Sequence, residues 1–194
     1  MANNQHSLRQ AYRQARRTLS ASQQTEHAKQ ATQLFIESDF LTNAQHIAIF
    51  LSQDGELATQ LLIEHLWQNN RQVYLPIILN NGELGFALYD AKTKLTPNKF
   101  NMLEPSKPQY IEPKQLDLII MPLTCFDTAG NRIGMGGGYY DKTLSFKNKQ
   151  PTKISPLLVG WAHQCQKTDQ IKTHDWDIPL NAVITEANLY RFNP

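Results

Sequence analysis

The sequence predicts an α/β fold, a three-layer sandwich with a largely parallel central sheet. Short apolar runs rich in branched and aromatic residues, HIAIFL at 46–51 and LDLIIMPL at 116–123 among them, have the composition of strands buried on both faces. Between them lie segments of helical periodicity, and glycine, proline or asparagine stands at most changes of period. Strands covered on both faces require helices on both sides of the sheet, hence three layers.

Taken in order, residues 8–19 bring Leu8, Tyr12, Ala15 and Leu19 to helical spacing, with Arg9, Arg13, Arg16 and Arg17 on a separate stripe. No acidic residue precedes Glu26, and this basic face is expected to be mainly solvated, a polyanion contact being the alternative. Ser20 followed by Gln23 makes a capping box for a second helix reaching about residue 37, with Ala28, Ala31, Leu34 and Phe35 inward. The first strand, 46–51, is closed by Asp54 and Gly55, Asp54 reading as a helix cap. A helix over 56–68 is expected to turn Leu57, Leu61 and Leu62 inward, and a strand over 73–79 carries Pro76.

Asn80, Asn81 and Gly82 signal a turn before 83–89, a strand expected at an edge. Residues 92–115, with Pro97, Pro105, Pro108 and Pro113, read as an extended, loop-rich segment. After the strand at 116–123, a helix is expected over 139–146, then strands at 157–160 and 182–185. Neither flank of the proline-rich segment looks large enough for its own core, which gives one domain over residues 1–194.

Composition narrows the classes. A formal charge of +2 is too small for a general nucleic-acid binder, and the longest apolar run, broken by Asp117, is too short to span a bilayer. Cys125 and Cys165 lack the close spacing of a zinc or dithiol motif, and the N-terminal MANNQHSLRQ lacks the apolar centre of a signal peptide. A cytoplasmic, reduced protein with small-molecule partners is expected, without nucleic acid or membrane, and monomeric.

The segment 127–144, DTAGNRIGMGGGYYDKTL, holds five of the nine glycines: Gly130, Gly134, Gly136, Gly137 and Gly138. It is neither a Walker A sequence nor a dinucleotide fingerprint, since Tyr139 stands where the third glycine of the latter would be. Small residues still let backbone N–H groups converge on phosphate oxygens, aided by a helix that starts just after them. Arg132 supplies a fork of donors for a phosphoryl group, and Asp141 a carboxylate for magnesium, against the plainer readings of a surface arginine and a first-turn helix charge. Ser52, Asp54 and Glu56 follow a buried strand, another position where ligands collect. The spacing of His163, His174, Asp175 and Asp177 matches no metal pattern.

Together, LRQAYRQARRTLS, IFLSQDGEL, VYLPII, MPLTCFDTAGNRIGMGGGYYDKTL, VGWAHQCQ and WDIPLNAVIT resemble the 5-formyltetrahydrofolate cyclo-ligase family nearly end to end, with GNRIGMGGGYYD the specific part. The resemblance implies a fold shared with sugar-phosphate isomerases and CoA transferases. It also implies ATP-dependent cyclisation of 5-formyltetrahydrofolate to 5,10-methenyltetrahydrofolate through a phosphorylated formyl group, releasing ADP and phosphate with Mg2+ assisting. By position it assigns ATP to Gln5, His6, Ser7, Leu8 and Arg9 and to Arg132, Ile133, Gly134, Met135, Gly136, Gly137, Gly138, Tyr139 and Tyr140. Folate is assigned to Leu51, Glu56 and the stretch from Met135 to Tyr139, catalysis to Arg132 and Asp141, and the metal to Asp141. Two positions depart from the pattern: Gln5 stands where the family often has lysine, and Asn181 where some members have an aspartate implicated in metal binding. The alternatives are a sugar-phosphate isomerase or transferase-like enzyme, which would not need ATP, and a non-catalytic nucleotide- or folate-binding module.

Overall fold

The computed structural model describes residues 2–98, 101–149 and 155–192. Helices α1 (Ala2–Arg17) and α2 (Ala21–Ile36) precede strand β1 (His46–Ala48), helix α3 (Gln60–Gln68) and strands β2 (Gln72–Ile78) and β3 (Leu84–Tyr89). The proline-rich segment contributes three short strands, β4 (Leu95–Pro97), β5 (Leu103–Pro105) and β6 (Tyr110–Ile111). Then come β7 (Leu118–Pro122), the pair β8 (Cys125–Phe126) and β9 (Arg132–Ile133), and short helices α4 (Tyr139–Thr143) and α5 (Phe146–Lys149). Strands β10 (Leu157–Trp161), β11 (Ala182–Ile184) and β12 (Leu189–Arg191) follow.

The main sheet has the order β12-β11-β10-β7-β1-β2-β3-β6. The five strands from β11 to β2 are mutually parallel, and both flanks are antiparallel. Successive residues of β7 point to opposite faces, so Leu118 and Ile120 join a core with Phe35, Leu62 and Leu66 of α2 and α3, while Ile119 and Met121 meet Leu144, Ile178 and Leu180 on the other side. Both faces are covered, and the three-layer, largely parallel architecture is the one expected. Among the described residues, no helix is long and apolar enough to cross a membrane.

Three local readings change. Helix α3 begins at Gln60 rather than at residue 56, because Asp54 and Gly55 take positive φ (56° and 71°) and the chain stays non-helical until the Thr59 hydroxyl donates to the Phe50 carbonyl at 2.8 Å. The shorter helix turns Leu62, Ile63 and Leu66 inward and leaves Leu61 exposed, against the expectation for Leu61. The strand expected at the edge, β3, is penultimate, since the two residues of β6 cover it. The single helix expected over 139–146 is two short pieces, α4 and α5, and β12 adds a strand that the sequence reading lacked. Pro76 lies beyond the last residue that pairs with β1, Tyr74, where its missing N–H costs no ladder bond on that side. The second helix is as read: Gln23 N–H donates to the Ser20 hydroxyl at 3.2 Å and Ser20 N–H to Gln23 Oε1 at 2.9 Å.

The chain leaves β1 toward β2 on one side and returns as β7 on the other, which makes the crevice beyond the carboxyl ends of β1 and β7 the topological switch point of the sheet. Two loops enter it: residues 49–59 after β1, and the segment after β7 that holds the glycine-rich stretch.

Candidate active site

The loop after β1 is organised by arginines. Asp54 accepts from Arg13 Nε and Arg16 Nη2, each at 2.9 Å on Oδ2, and from Arg17 on Oδ1. Arg16 is wholly buried; its Nε donates to the Asp54 carbonyl (2.9 Å), its Nη1 to the Leu123 carbonyl (3.3 Å), and Nη2 lies 3.5 Å from Glu56 Oε1. The stripe expected to be mainly solvated is thus divided, with Arg16 buried, Arg9 and Arg13 half-buried and Arg17 exposed, and Asp54 is a triple arginine acceptor rather than a helix cap. Gly55 lets the backbones approach, because a Cβ there would stand 3.2 Å from the Arg16 carbonyl oxygen.

Burial by itself raises Asp54, but hydrogen bonds from the three arginines outweigh it and bring its pKa down to about 2. Glu56 goes the other way: burial raises it, opposed by the Arg16 charge, and its Oε2 accepts from Gln53 N–H at 3.1 Å. Leu51 packs half-buried against the core below.

The second loop is built from backbone. Arg9 Nε donates to the Gly134 carbonyl at 2.9 Å, which fastens α1 to the start of the stretch, and Gly136 (φ 104°) and Gly138 (φ 64°) take dihedrals that favour glycine. Gly138 is the N-cap of α4. Met135, Gly136, Gly137 and Gly138 are exposed, Tyr139 and Tyr140 half-buried, and Ile133 packs into a small cluster with Cys125, Leu8 and Tyr12. At the base, Arg132 Nη2 pairs with Asp141 Oδ1 at 2.9 Å, and the same oxygen accepts from Ile178 N–H at 3.1 Å. Arg132 Nη1 donates to the Ile178 carbonyl.

Tyr140 follows the glycine stretch and feels charges from both loops. Burial raises its phenol, the Glu56 carboxylate adds to the rise and Arg132 opposes it, so the hydroxyl lies within electrostatic reach of both.

The remaining expected residues divide. Gln5, in the position often held by lysine, accepts from Arg9 Nη2 at 3.2 Å and donates to the Lys172 carbonyl at 3.3 Å, which orients Arg9. His6 and Ser7 are exposed, and Leu8 is half-buried in the cluster that also holds Ile133. Asn181 is not gathered with Asp141: its Oδ1 accepts from Leu158 N–H at 2.8 Å and ties the start of β10 to the approach to β11. His174 stacks on the exposed Trp176 with ring centroids 4.5 Å apart, and Asp177 accepts from His174 N–H at 2.8 Å. The sequence reading missed the roles of Arg16 and Asp54, although four arginines within nine positions, with no local acid, already called for distant carboxylates.

A parallel α/β sheet with a charge-lined loop and a phosphate-type glycine loop at its switch point defines an enzyme scaffold for small anionic substrates. The model of the 5-formyltetrahydrofolate cyclo-ligase family matches residues 1–186, and the chain belongs to that family. It is similar to the 5-formyltetrahydrofolate cyclo-ligase of Escherichia coli K12, at 40% identity over 184 residues covering 93% of this chain and 99% of that one. The Haemophilus influenzae protein of that name is 38% identical over 178 residues, covering 89% and 92%. Among solved structures, Aquifex aeolicus 5,10-methenyltetrahydrofolate synthetase superposes with a TM-score of 0.83 at 23% identity, covering 98% of this chain and 93% of that one. The Mycoplasma pneumoniae 5,10-methenyltetrahydrofolate synthetase gives 0.73 at 25% identity, covering 94% and 98%. The family match does not favour the isomerase, transferase or non-catalytic readings.

Proposed function

We propose that this crevice carries out the ATP-dependent cyclisation of 5-formyltetrahydrofolate to 5,10-methenyltetrahydrofolate, with ATP on the glycine-rich loop and folate against the loop after β1. Membership of the cyclo-ligase family gives the enzyme class and its use of ATP. The observation that supports the assignment of the two loops is that they follow the carboxyl ends of adjacent parallel strands, β1 and β7, at the switch point of the sheet. Two substrates on these loops would share one crevice.

The chemistry accounts for the residue types. A formamide oxygen is a poor leaving group; transfer of the γ-phosphoryl group forms an O–P bond to it and breaks the bond to ADP. The 10-nitrogen then attacks the formyl carbon, losing its proton, and the C–O bond breaks with phosphate as leaving group. Catalysis of such steps rests on positioning and charge stabilisation. Arg132, held by Asp141 and the Ile178 carbonyl, sets a guanidinium at the phosphoryl group. The N–H groups from Gly134 to Tyr140 cradle the phosphates, and Arg9 with its neighbours from Gln5 to Leu8 closes the ATP side. Glu56, kept in place by Gln53 N–H and Arg16, accepts from the pterin ring, and Leu51 borders it.

For Mg2+ the donor set fits a single-carboxylate mode: Asp141 Oδ1 is taken by Arg132 and Ile178, leaving Oδ2 for a cation that keeps water and phosphate ligands. Bound there, the ion would neutralise phosphate charge. The protein would act as a monomer in the cytoplasm, its 194 residues forming one domain.

The test is direct. Purified protein with 5-formyltetrahydrofolate and Mg-ATP should develop the near-ultraviolet absorbance of the methenyl product; absence of ATP-dependent product rejects the reading. Asp141→Asn should lower turnover and weaken the magnesium dependence, and an unchanged magnesium titration would remove Asp141 as the metal ligand.

A further inference from the structure

His27, His163 and Glu186 form a cluster outside the crevice contacts described above. His27 lies in α2, His163 begins the turn after β10, and Glu186 lies between β11 and β12. One potential ligand atom from each falls within 4.8 Å of the others. His27 Nδ1 is 2.9 Å from His163 Nδ1 and 3.5 Å from Glu186 Oε1.

Two features set this apart from an ordinary buried histidine pair. First, the contact between two Nδ1 atoms can hold one proton at most when both rings are neutral, so an imidazole lone pair and a carboxylate crowd the same space. Second, His163 is wholly buried, so its Nδ1 has for partners only the groups that the fold brings to it, His27 and beyond it Glu186.

We propose that His27, His163 and Glu186 bind a divalent transition-metal ion of the zinc type, a site distinct from the magnesium of the reaction. Two separations suit it: with bonds of about 2.0–2.1 Å, ligand atoms around tetrahedral zinc stand about 3.3 Å apart, between the 2.9 and 3.5 Å found here, and a small turn of the partly exposed Glu186 side chain would draw in the third, now within 4.8 Å. One ligand is already supported from behind: Glu186 Oε2 accepts from Gln164 N–H at 2.9 Å. Two imidazoles and one carboxylate favour zinc, copper or nickel over magnesium or calcium. Zinc takes three protein ligands and a water without preference imposed by d-electrons, and it fits a clip that joins α2 to the turns after β10 and β11.

The full-length, tag-free chain is stripped with a chelator and titrated with Zn2+ by calorimetry and with Co2+ by visible absorption. The expected result is a single site, with Co2+ bands of a tetrahedral nitrogen and oxygen site and a higher melting temperature in Zn2+. Both His27 and Glu186 are partly exposed, at 18% and 13% of their side chains, so their variants should fold, as circular dichroism will report. His27→Gln should abolish the site, and Glu186→Gln should weaken it by more than roughly tenfold. Millimolar Mg2+ should not compete. No binding by the wild type, or equal binding by wild type and His27→Gln, overturns the proposal; a thiolate-to-cobalt band would overturn this ligand set in favour of Cys165. Neither folate nor ATP enters the measurement, so its failure leaves the cyclo-ligase reading standing.

Discussion

The loop after β1 and the glycine-rich loop face the same crevice and are built by opposite means. Around Asp54 and Glu56 the chain is fixed by charge: one buried arginine reaches the carboxylate and the carbonyl of Asp54, the carbonyl of Leu123 and the edge of Glu56. From Met135 to Gly138 the chain is exposed, and a Cβ at Gly138 would meet nothing within 4 Å. Its anchors lie at the margins, the Arg9 bond to Gly134 and the Arg132–Asp141 pair. On the proposed assignment, side chains set the loop that receives the rigid ring, and backbone N–H groups line the loop that receives the phosphates.

The largest effect should come from the fixed loop. Arg16→Met leaves Glu56 without its cation, and breaking a buried pair costs about 3–5 kcal/mol; urea unfolding should show a loss of that size. A change below about 1 kcal/mol would mean that the arginine cluster does not hold the loop. Next comes Arg132→Gln, at the base of the glycine loop. If Arg132 stabilises the transferring phosphoryl group, kcat should fall by roughly 10²–10³-fold with the KM for folate little changed, and a fall confined to folate KM would place Arg132 elsewhere.

Smaller effects test the contrast itself. Gly136→Ala meets no close obstacle but must hold φ near 104°, strain of about 1–3 kcal/mol. Steady-state kinetics should show kcat/KM for ATP down by roughly tenfold while thermal stability moves by only a few degrees; an unchanged value for ATP would deny the loop its contact with the nucleotide. The smallest effect is in pH. Asp54 is lowered in the folded protein, so its contribution is complete above 3.8 and is lost as pH falls through about 2. Glu56 is raised, so its contribution is present below 4.5 and is lost as pH rises through its folded pKa. Acid titrations of Asp54→Asn and Glu56→Gln should therefore change slope in opposite directions. Glu56→Gln should be no less stable than the wild type at neutral pH, yet need more folate, and a loss of stability at neutral pH would contradict the burial of an ionised Glu56.

Much of this was legible before any coordinates. The apolar run at 116–123 identified the central strand because a strand covered on both faces has no polar face to alternate, and Ser20 with Gln23 marked a helix start because the capping box is local chemistry. The glycine stretch and its neighbouring motifs pointed to the family to which the chain belongs. Leu61 and the start of α3 were misplaced because periodicity counts residues but does not register the left-handed turn at Asp54 and Gly55 that delays the helix. The direction of the arginine stripe was hidden for another reason: its carboxylate lies 38 residues from Arg16 in the chain.

The sequence by itself determined the class of fold, the position of the glycine-rich loop and the resemblance to the family, since each rests on periodicity or on residues adjacent in the chain. Only the tertiary structure decided which charges are spent on each other. Asp54 is bound by three arginines of α1 and Arg132 by Asp141, and the loops that carry these pairs face one crevice because β1 and β7, separated by some 70 residues in the chain, lie side by side in the sheet. Electrostatic pairing follows distance in space, and distance in space is set by strand order.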